Sequence, residues 1–263
     1  MNFGFIGSTI TLKDRVFGKT SLPKKVLQPN ASWREYLPEY EPQFGGDWDT
    51  FGCTLWAFLN AIETMDRKLF GKKSDYSEKY LANLIPLRPP GVEPQRVPEA
   101  IKKYGLIDQS LLPMPLTYEE FTAPTPTSPE LVAIGRQWLD EYNFDSELLW
   151  SSNIPHEKKI ALLKECLKYS PILVSVTAWS EERGVYVDND LPNNHLCLCF
   201  EVMTIAEVDF PKVFDTYDQS IKTLSSNHHI DRAWRIHLSK KTSQHNSFLS
   251  KLFSLFFKKY NLV

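Results

Sequence analysis

Apolar residues recur at helical spacing through Leu55, Phe58, Leu59, Ile62 and Leu69. This predicts a helix with one buried face, beginning within a residue or three of Asp49 or Thr50, either a suitable cap. A short helix is expected in "VPEAIKKYG", with Gly105 just past its end. Another is capped by Ser128, with Pro129 in its first turn and Leu131, Ile134 and Trp138 facing inward. A further amphipathic helix in "HEKKIALLKECLKY" places Ile160, Leu163 and Leu167 on one side. Beyond it the pattern changes. "PILVSVTAW", "HLCLCFEVMTI", "KVFDTY" and "RAWRIHLS" are rich in Val, Ile and aromatic residues and are separated by turn signals such as "DNDLPNN", which predicts strands. A helical first half before a β-rich second half implies an α+β protein of two packed lobes. No internal repeat is present.

Composition narrows the functional classes. The 263 residues are 42% hydrophobic with a formal net charge of -2, ordinary globular values that give no footprint of nucleic-acid binding. The start, "MNFGFIGSTITLKDRVF", lacks the form of a signal peptide, and no apolar run reaches the roughly 18 residues of a membrane span. The four cysteines, Cys53, Cys166, Cys197 and Cys199, read as free thiols in a reducing compartment, so a cytoplasmic location is expected.

Cys53 carries the candidate chemistry. A cysteine nucleophile needs thiolate character, which a helix N-terminus and a neighbouring imidazole supply. Cys53 falls in the expected first turn of its helix. Among six histidines, His195 follows a turn at the first residue of a buried strand, where its ring can face a cleft. It lies 142 residues after Cys53, inside the roughly 130–150 that separate nucleophile and partner in one class of cysteine peptidase. Asp215, at the end of the next strand, can orient the imidazole. Gln43, ahead of the helix, offers a side-chain N–H to a developing oxyanion beside the Cys53 amide.

In these features the chain resembles the papain-like cysteine peptidases, and within them the branch found in bacteria and phages. "SWREYLPEYEPQ" followed by "FGC" is similar to the start of the mature enzyme. "DYSEKYLANLI" and "GVEPQRVPEAIKKYGLIDQSLLPM" are similar to the helix, glycine loop and helix that follow. "SPILVSVTAW", "GVYVDND", "NHLCLCFEV" and "VFDTY" resemble the strands of the second lobe, with Asp215 where papain has asparagine.

The resemblance implies a two-lobe papain-like fold with the site in the cleft: an N-terminal extension over 1–29, a helical lobe over about 44–145 and a β-rich, barrel-like lobe over about 146–240 within a domain spanning 30–240. It implies a cysteine peptidase acting on protein or peptide substrates through Cys53, His195, Asp215 and Gln43, with Gly91 and Asn194 as substrate-binding positions and no metal or cofactor. The segment ahead of Ser32 is shorter than a typical inhibitory propeptide, which implies synthesis in an active or separately regulated form; a host-cell or virion setting would follow from a phage origin.

Two departures matter. The family's Cys-Trp-Ala-Phe aligned on Trp56-Ala57-Phe58 would put Leu55 at the nucleophile position and imply a binding module without catalysis; alignment on Phe51-Gly52-Cys53 keeps the thiol. The spacing from Gln43 to Cys53 also requires a small insertion, "GGDW", to loop out. Other acyl transfers on the same residues, such as peptidoglycan amide hydrolysis or transamidation, remain alternatives to peptide hydrolysis.

Standing alone, each residue has a plainer reading: Cys53 as core, His195 as a turn histidine, Asp215 as a turn cap. His195, Cys197 and Cys199 share a strand face, but zinc wants a second pair of ligands, and His228–His229 reads as an exposed loop. After a polar linker from residue 241, "FLSKLFSLFFKKY" reads as an amphipathic helix suited to a membrane surface, a partner or its own domain.

Overall fold

The computed structural model describes residues 4–7, 14–45, 48–85, 87–123, 127–217 and 221–241. Six α-helices occur among them: α1 (Cys53–Phe70), α2 (Glu78–Leu84), α3 (Arg96–Tyr104), α4 (Tyr118–Thr122), α5 (Pro129–Glu141) and α6 (His156–Cys166). The strands are β1 (Gly4–Phe5), β2 (Phe44–Gly45), β3 (Trp48–Asp49), β4 (Gly91–Val92), β5 (Tyr142–Leu148), β6 (Ile172–Val176), β7 (Ser180–Glu182), β8 (Val185–Val187), β9 (His195–Ile205), β10 (Val208–Phe214), β11 (Ile221–Thr223) and β12 (Ala233–Lys240). The expected C-terminal helix over 248–257 lies outside the described residues.

The sheet that organises the second lobe has six strands in the order β11-β10-β9-β6-β12-β5, antiparallel throughout. It is strand-rich where the hydrophobic runs predict strands, and β9 begins at His195 as expected. One boundary moves. β5 follows α5 without a break and pairs along its whole length with β12, so the sheet takes in Tyr142–Asp145, which the sequence assigned to the helical lobe. The stretch "YNFDSEL" alternates imperfectly and no turn residue separates it from the helix.

The residues expected to be an N-terminal extension are also part of this lobe. Phe17 N–H donates to Leu148 O at 2.7 Å, and Leu27 and Gln28 N–H donate to Lys168 O at 2.8 and 3.1 Å. The Arg235 guanidinium reaches Pro23 O at 3.1 Å and Leu22 O at 3.3 Å.

The first lobe is built around α1. Every residue from Cys53 to Asp66 is buried, so this helix is enclosed on all sides rather than amphipathic, as a central core helix must be. It ends in a left-handed Gly71 with φ 65°. Two of its buried acids are hydrogen-bonded: Tyr76 N–H donates to Glu63 at 2.8 Å, and the Ser74 and Tyr76 hydroxyls donate to Asp66 Oδ2 at 2.5 and 2.7 Å. Burial, with smaller contributions from Glu41 and neighbouring acids, holds the Glu63 and Glu78 carboxyls well above the usual carboxylate range. A carboxyl whose folded pKa is raised stabilises the fold below its ordinary value and loses that contribution as pH rises through the raised one. Glu63→Gln and Glu78→Gln should therefore raise Tm by several degrees at about pH 8 and change it little at about pH 4, checked by thermal unfolding across that range. A larger gain at acid pH than at alkaline pH would contradict this.

Candidate active site

The first turn of α1 starts at Cys53 itself. Gly52 is the N-cap and makes no side-chain cap. The expected caps serve otherwise: Thr50 Oγ1 accepts from Gly52 N–H at 3.1 Å and Asp49 Oδ1 accepts from Phe51 N–H at 2.8 Å, shaping the turn that delivers the cysteine. Phe51 there has φ 56°, a left-handed conformation that a bulky residue adopts only when its surroundings enforce it. The sulfur thus sits at the positive end of an 18-residue helix with no acidic residue in its first turn.

His195 opens β9, the strand against which α1 packs. Its Nε2 lies 2.6 Å from Asp215 Oδ1, and both side chains are fully buried. The charge of Cys53 acts on the same imidazole. Leu55, two residues on, is core.

Burial alone would push the imidazole pKa down, but the charges of Asp215 and Cys53 and their hydrogen bonds outweigh it and raise it to about 10. Asp215 is held below the usual carboxylate range despite burial, by His195 and then by Lys222. Trp179 and Tyr217 pack in T-shaped arrangement with the imidazole, at ring-centroid distances of 5.4 and 6.3 Å.

Gln43 is fully buried beside this group. Its main-chain N–H donates to Thr216 O at 3.1 Å and its Oε1 accepts from Thr216 Oγ1 at 2.9 Å, next to Asp215. Its Nε2 donates to Asp49 Oδ1 at 3.2 Å. Between Gln43 and Cys53, β2 and β3 pair in the register Phe44↔Asp49 and Gly45↔Trp48. Asp49 braces the site: its other oxygen accepts from Tyr217 OH at 2.8 Å, so one carboxylate ties Gln43, Phe51 and Tyr217 together. Asp49 is legible in the sequence only as a helix cap; no local pattern marks Lys222 or Trp179, which meet the site from other segments, or Tyr217, whose bond to Asp49 needs the fold.

Gly91 and Asn194 stand differently from the substrate-binding expectation. Asn194 Oδ1 accepts from Ala178 N–H at 2.9 Å and its Nδ2 donates to Ala178 O at 3.5 Å, so the side chain ties down the turn after β6. Gly91 is paired with the chain's own N-terminus: β1 lies parallel to β4 in the register Gly4↔Gly91 and Phe5↔Val92. Thr54 Oγ1 donates to Gly4 O at 3.4 Å, and Phe5 is buried. Both glycines are needed for this approach. Gly91, at φ 131°, would place a Cβ 2.0 Å from Gly4 O, and Gly4, at φ 109°, would place one 2.2 Å from Phe51 O. Gly4–Phe5 covers the turn before Cys53, and Cys53 is wholly buried.

His228, expected in an exposed loop, is also buried, with Nδ1 3.2 Å from Tyr186 O; His229 is exposed. Cys197 and Cys199 fill the core, and burial raises both thiols, Cys199 to about 12. No helix among the described residues is long and apolar enough to cross a membrane.

A buried central helix starting at a cysteine, packed on an antiparallel sheet whose strand starts at a histidine, is the papain-like fold. The solved structures similar to this chain agree. Digestive procathepsin L2 from the larval midgut of Tenebrio molitor matches with a TM-score of 0.62 at 13% identity, covering 89% of this chain and 77% of that one. Xylellain, a cysteine protease from Xylella fastidiosa, matches with a TM-score of 0.59 at 15% identity, covering 89% and 95%. The ragweed pollen cysteine protease Amb a 11, in its proform, matches with a TM-score of 0.58 at 14% identity, covering 83% and 67%. No protein-family model matches the chain, and no curated protein sequence does so at a significant level.

Proposed function

We propose that this protein is a cysteine peptidase of the papain-like type. The observations that support the reading are Cys53 at a helix N-terminus and a His195 imidazole that feels the Cys53 charge and lies 2.6 Å from the Asp215 carboxylate. In this reading the Cys53 thiolate attacks a peptide carbonyl to give a tetrahedral intermediate. The Cys53 main-chain N–H, one of the helix's unpaired terminal donors, and the Gln43 amide stabilise its oxyanion. His195 gives its proton to the leaving amine, the acyl group stays on sulfur as a thioester, and His195 then takes a proton from water as that water attacks the thioester. Asp215 holds the ring so that its other nitrogen faces the sulfur.

A substrate strand along Gly91 must displace Gly4–Phe5. The segment is held at β4 by short strand pairing, including Ile6 N–H to Val92 O at 3.3 Å, and by the buried Phe5 side chain, so its release exposes that ring. Gly4→Ala, which brings a Cβ against Phe51 O, should speed both casein hydrolysis and alkylation of Cys53 by iodoacetamide about tenfold. Unchanged rates in this variant would remove the covering role of β1.

The test of the activity itself is hydrolysis of casein beside a cell-wall zymogram, with an epoxide probe of the thiol as control. Casein cleavage abolished by the probe supports peptide hydrolysis; clearing of cell wall alone assigns the same residues to peptidoglycan amide hydrolysis. The bacterial or phage branch remains part of this proposal through the motifs around Gln43 and Cys53, and a cytoplasmic setting through the four free thiols.

A further inference from the structure

Asp215 has two carboxylate oxygens, and the proposed triad uses one. The other, Oδ2, lies 2.8 Å from Lys222 Nζ, and neither side chain is exposed to solvent. Lys222 is the middle residue of β11, paired with Val213 of β10, one residue before the end of the strand from which Asp215 emerges. Its ammonium also donates to Tyr217 O at 2.5 Å and lies 5.2 Å from the Trp179 ring centroid and 5.4 Å from that of Tyr186. A lysine buried to this degree is rare and costly unless its charge is answered. Here the answering charge is the carboxylate that holds the candidate catalytic histidine.

We propose that Lys222 is a positioning residue of the active site, an internal counter-ion that keeps Asp215 ionised and turned toward His195. The inference rests on the peptidase reading for its consequence in turnover, though the ion pair itself does not. A carboxylate gripped at both oxygens, by Nε2 on one side and Nζ on the other, has its plane fixed. Its negative charge is shared between two cations. Imidazolium, carboxylate and ammonium then alternate in sign along the row. Without the ammonium the second carboxylate oxygen would face no cation out of reach of water, an arrangement that low-dielectric interiors penalise.

The other groups around Lys222 do not substitute for Asp215. Tyr217 contributes a carbonyl, Trp179 and Tyr186 contribute ring faces, and the Tyr186 carbonyl is turned to His228. Cys197, on β9, feels the Lys222 charge but is held as a neutral thiol by burial. Burial likewise lowers His228, which favours its neutral form. His195 and Cys53 lie beyond Asp215 in the row.

The experiment is an NMR titration of the His195 ring in the full chain, in the wild type, Lys222→Met, Asp215→Asn and the double variant, with thermal unfolding and the pH-dependence of Cys53 alkylation measured on each. Removing the ammonium leaves Asp215 to hold the imidazole proton alone, so Lys222→Met should move the His195 midpoint upward by about one pH unit or more. Asp215→Asn should move it downward, and adding Lys222→Met to that variant should move it back up. Stability should change sign between backgrounds: Lys222→Met lowers Tm in the wild type, where it strands a buried anion, and raises it with Asp215→Asn, where it removes a stranded cation. With a peptide substrate, Lys222→Met should lower kcat at least tenfold and leave KM within about twofold.

A lysine that only packs against the aromatic rings would lower Tm equally in both backgrounds and leave the His195 midpoint where it is, and that result would overturn the proposal. If the midpoints move as described while no variant shows selective Cys53 alkylation, the counter-ion stands and the peptidase reading falls. Selective alkylation with unmoved midpoints gives the reverse.

Discussion

Replacing His195 with alanine should leave the protein folded and lower kcat/KM on a peptide substrate by about a thousandfold or more, and Cys53→Ala should abolish turnover. The expected size follows from the geometry. The imidazole serves the sulfur, the leaving amine and the attacking water in turn. The pH profile carries the same information. A histidine raised to about 10 stays protonated through neutral pH, so its contribution to stability is present below its ordinary value near 6.5 and is lost only as pH rises through about 10. Asp215, held low, contributes above its ordinary value and loses that contribution as pH falls below it. Activity should accordingly fall at the alkaline end only above about pH 9, and in Asp215→Asn that fall should move toward neutrality, read from kcat/KM against pH. A loss of activity centred near pH 6.5 in the wild type would mean that the imidazole is not held by its partners.

Glu147→Ala should be the most destabilising single change outside the site, by about 3–5 kcal/mol in urea unfolding. Glu147 of β5 and Arg235 of β12 face each other across the sheet, with side chains 0% and 2% exposed, and the guanidinium donates to the carboxylate. The Thr20 hydroxyl donates to the other carboxylate oxygen, and the remaining guanidinium nitrogens donate to Pro23 O and Leu22 O. Removing the acid strands a buried cation and loosens residues 20–23 at once. Replacing both partners, as Glu147→Leu with Arg235→Met, should cost less than Glu147→Ala alone, because no charge is then left unpaired. A loss below about 1 kcal/mol for Glu147→Ala would show that the strap contributes little to holding the sheet.

The elements that announced themselves in the sequence were those with a long, regular hydrophobic pattern. The helix after Ser128 begins as its cap predicts, with Ser128 accepting from Leu131 N–H at 3.3 Å, and β9 starts on the histidine that follows "NN". Cys53 and His195 were legible for the same reason, as polar or reactive residues set at the ends of such elements. Short and tertiary features were not. β1 and β4 are two residues each, too short for any period, and their pairing depends on two glycines 87 positions apart. Lys222 lies in "DQSIKTL", where a lysine normally faces water, and only the folded sheet brings it against Asp215. Gln43 was found by its order in the chain; that Asp49 and Thr216 hold its amide became visible only with the β2–β3 hairpin in place.

The arrangement that everything depends on is a reactive sulfur paired with His195, and site-resolved alkylation addresses it. The full chain, and the chain lacking residues 1–7, would be treated with iodoacetamide at about pH 6, where an ordinary thiol is scarcely ionised, and the adducts located by peptide mass spectrometry. The account predicts modification confined to Cys53, faster without residues 1–7 and lost in His195→Ala, while Cys166, Cys197 and Cys199, whose thiols burial pushes up, stay unmodified. Slow, equal modification of all four cysteines, indifferent to His195, would contradict it.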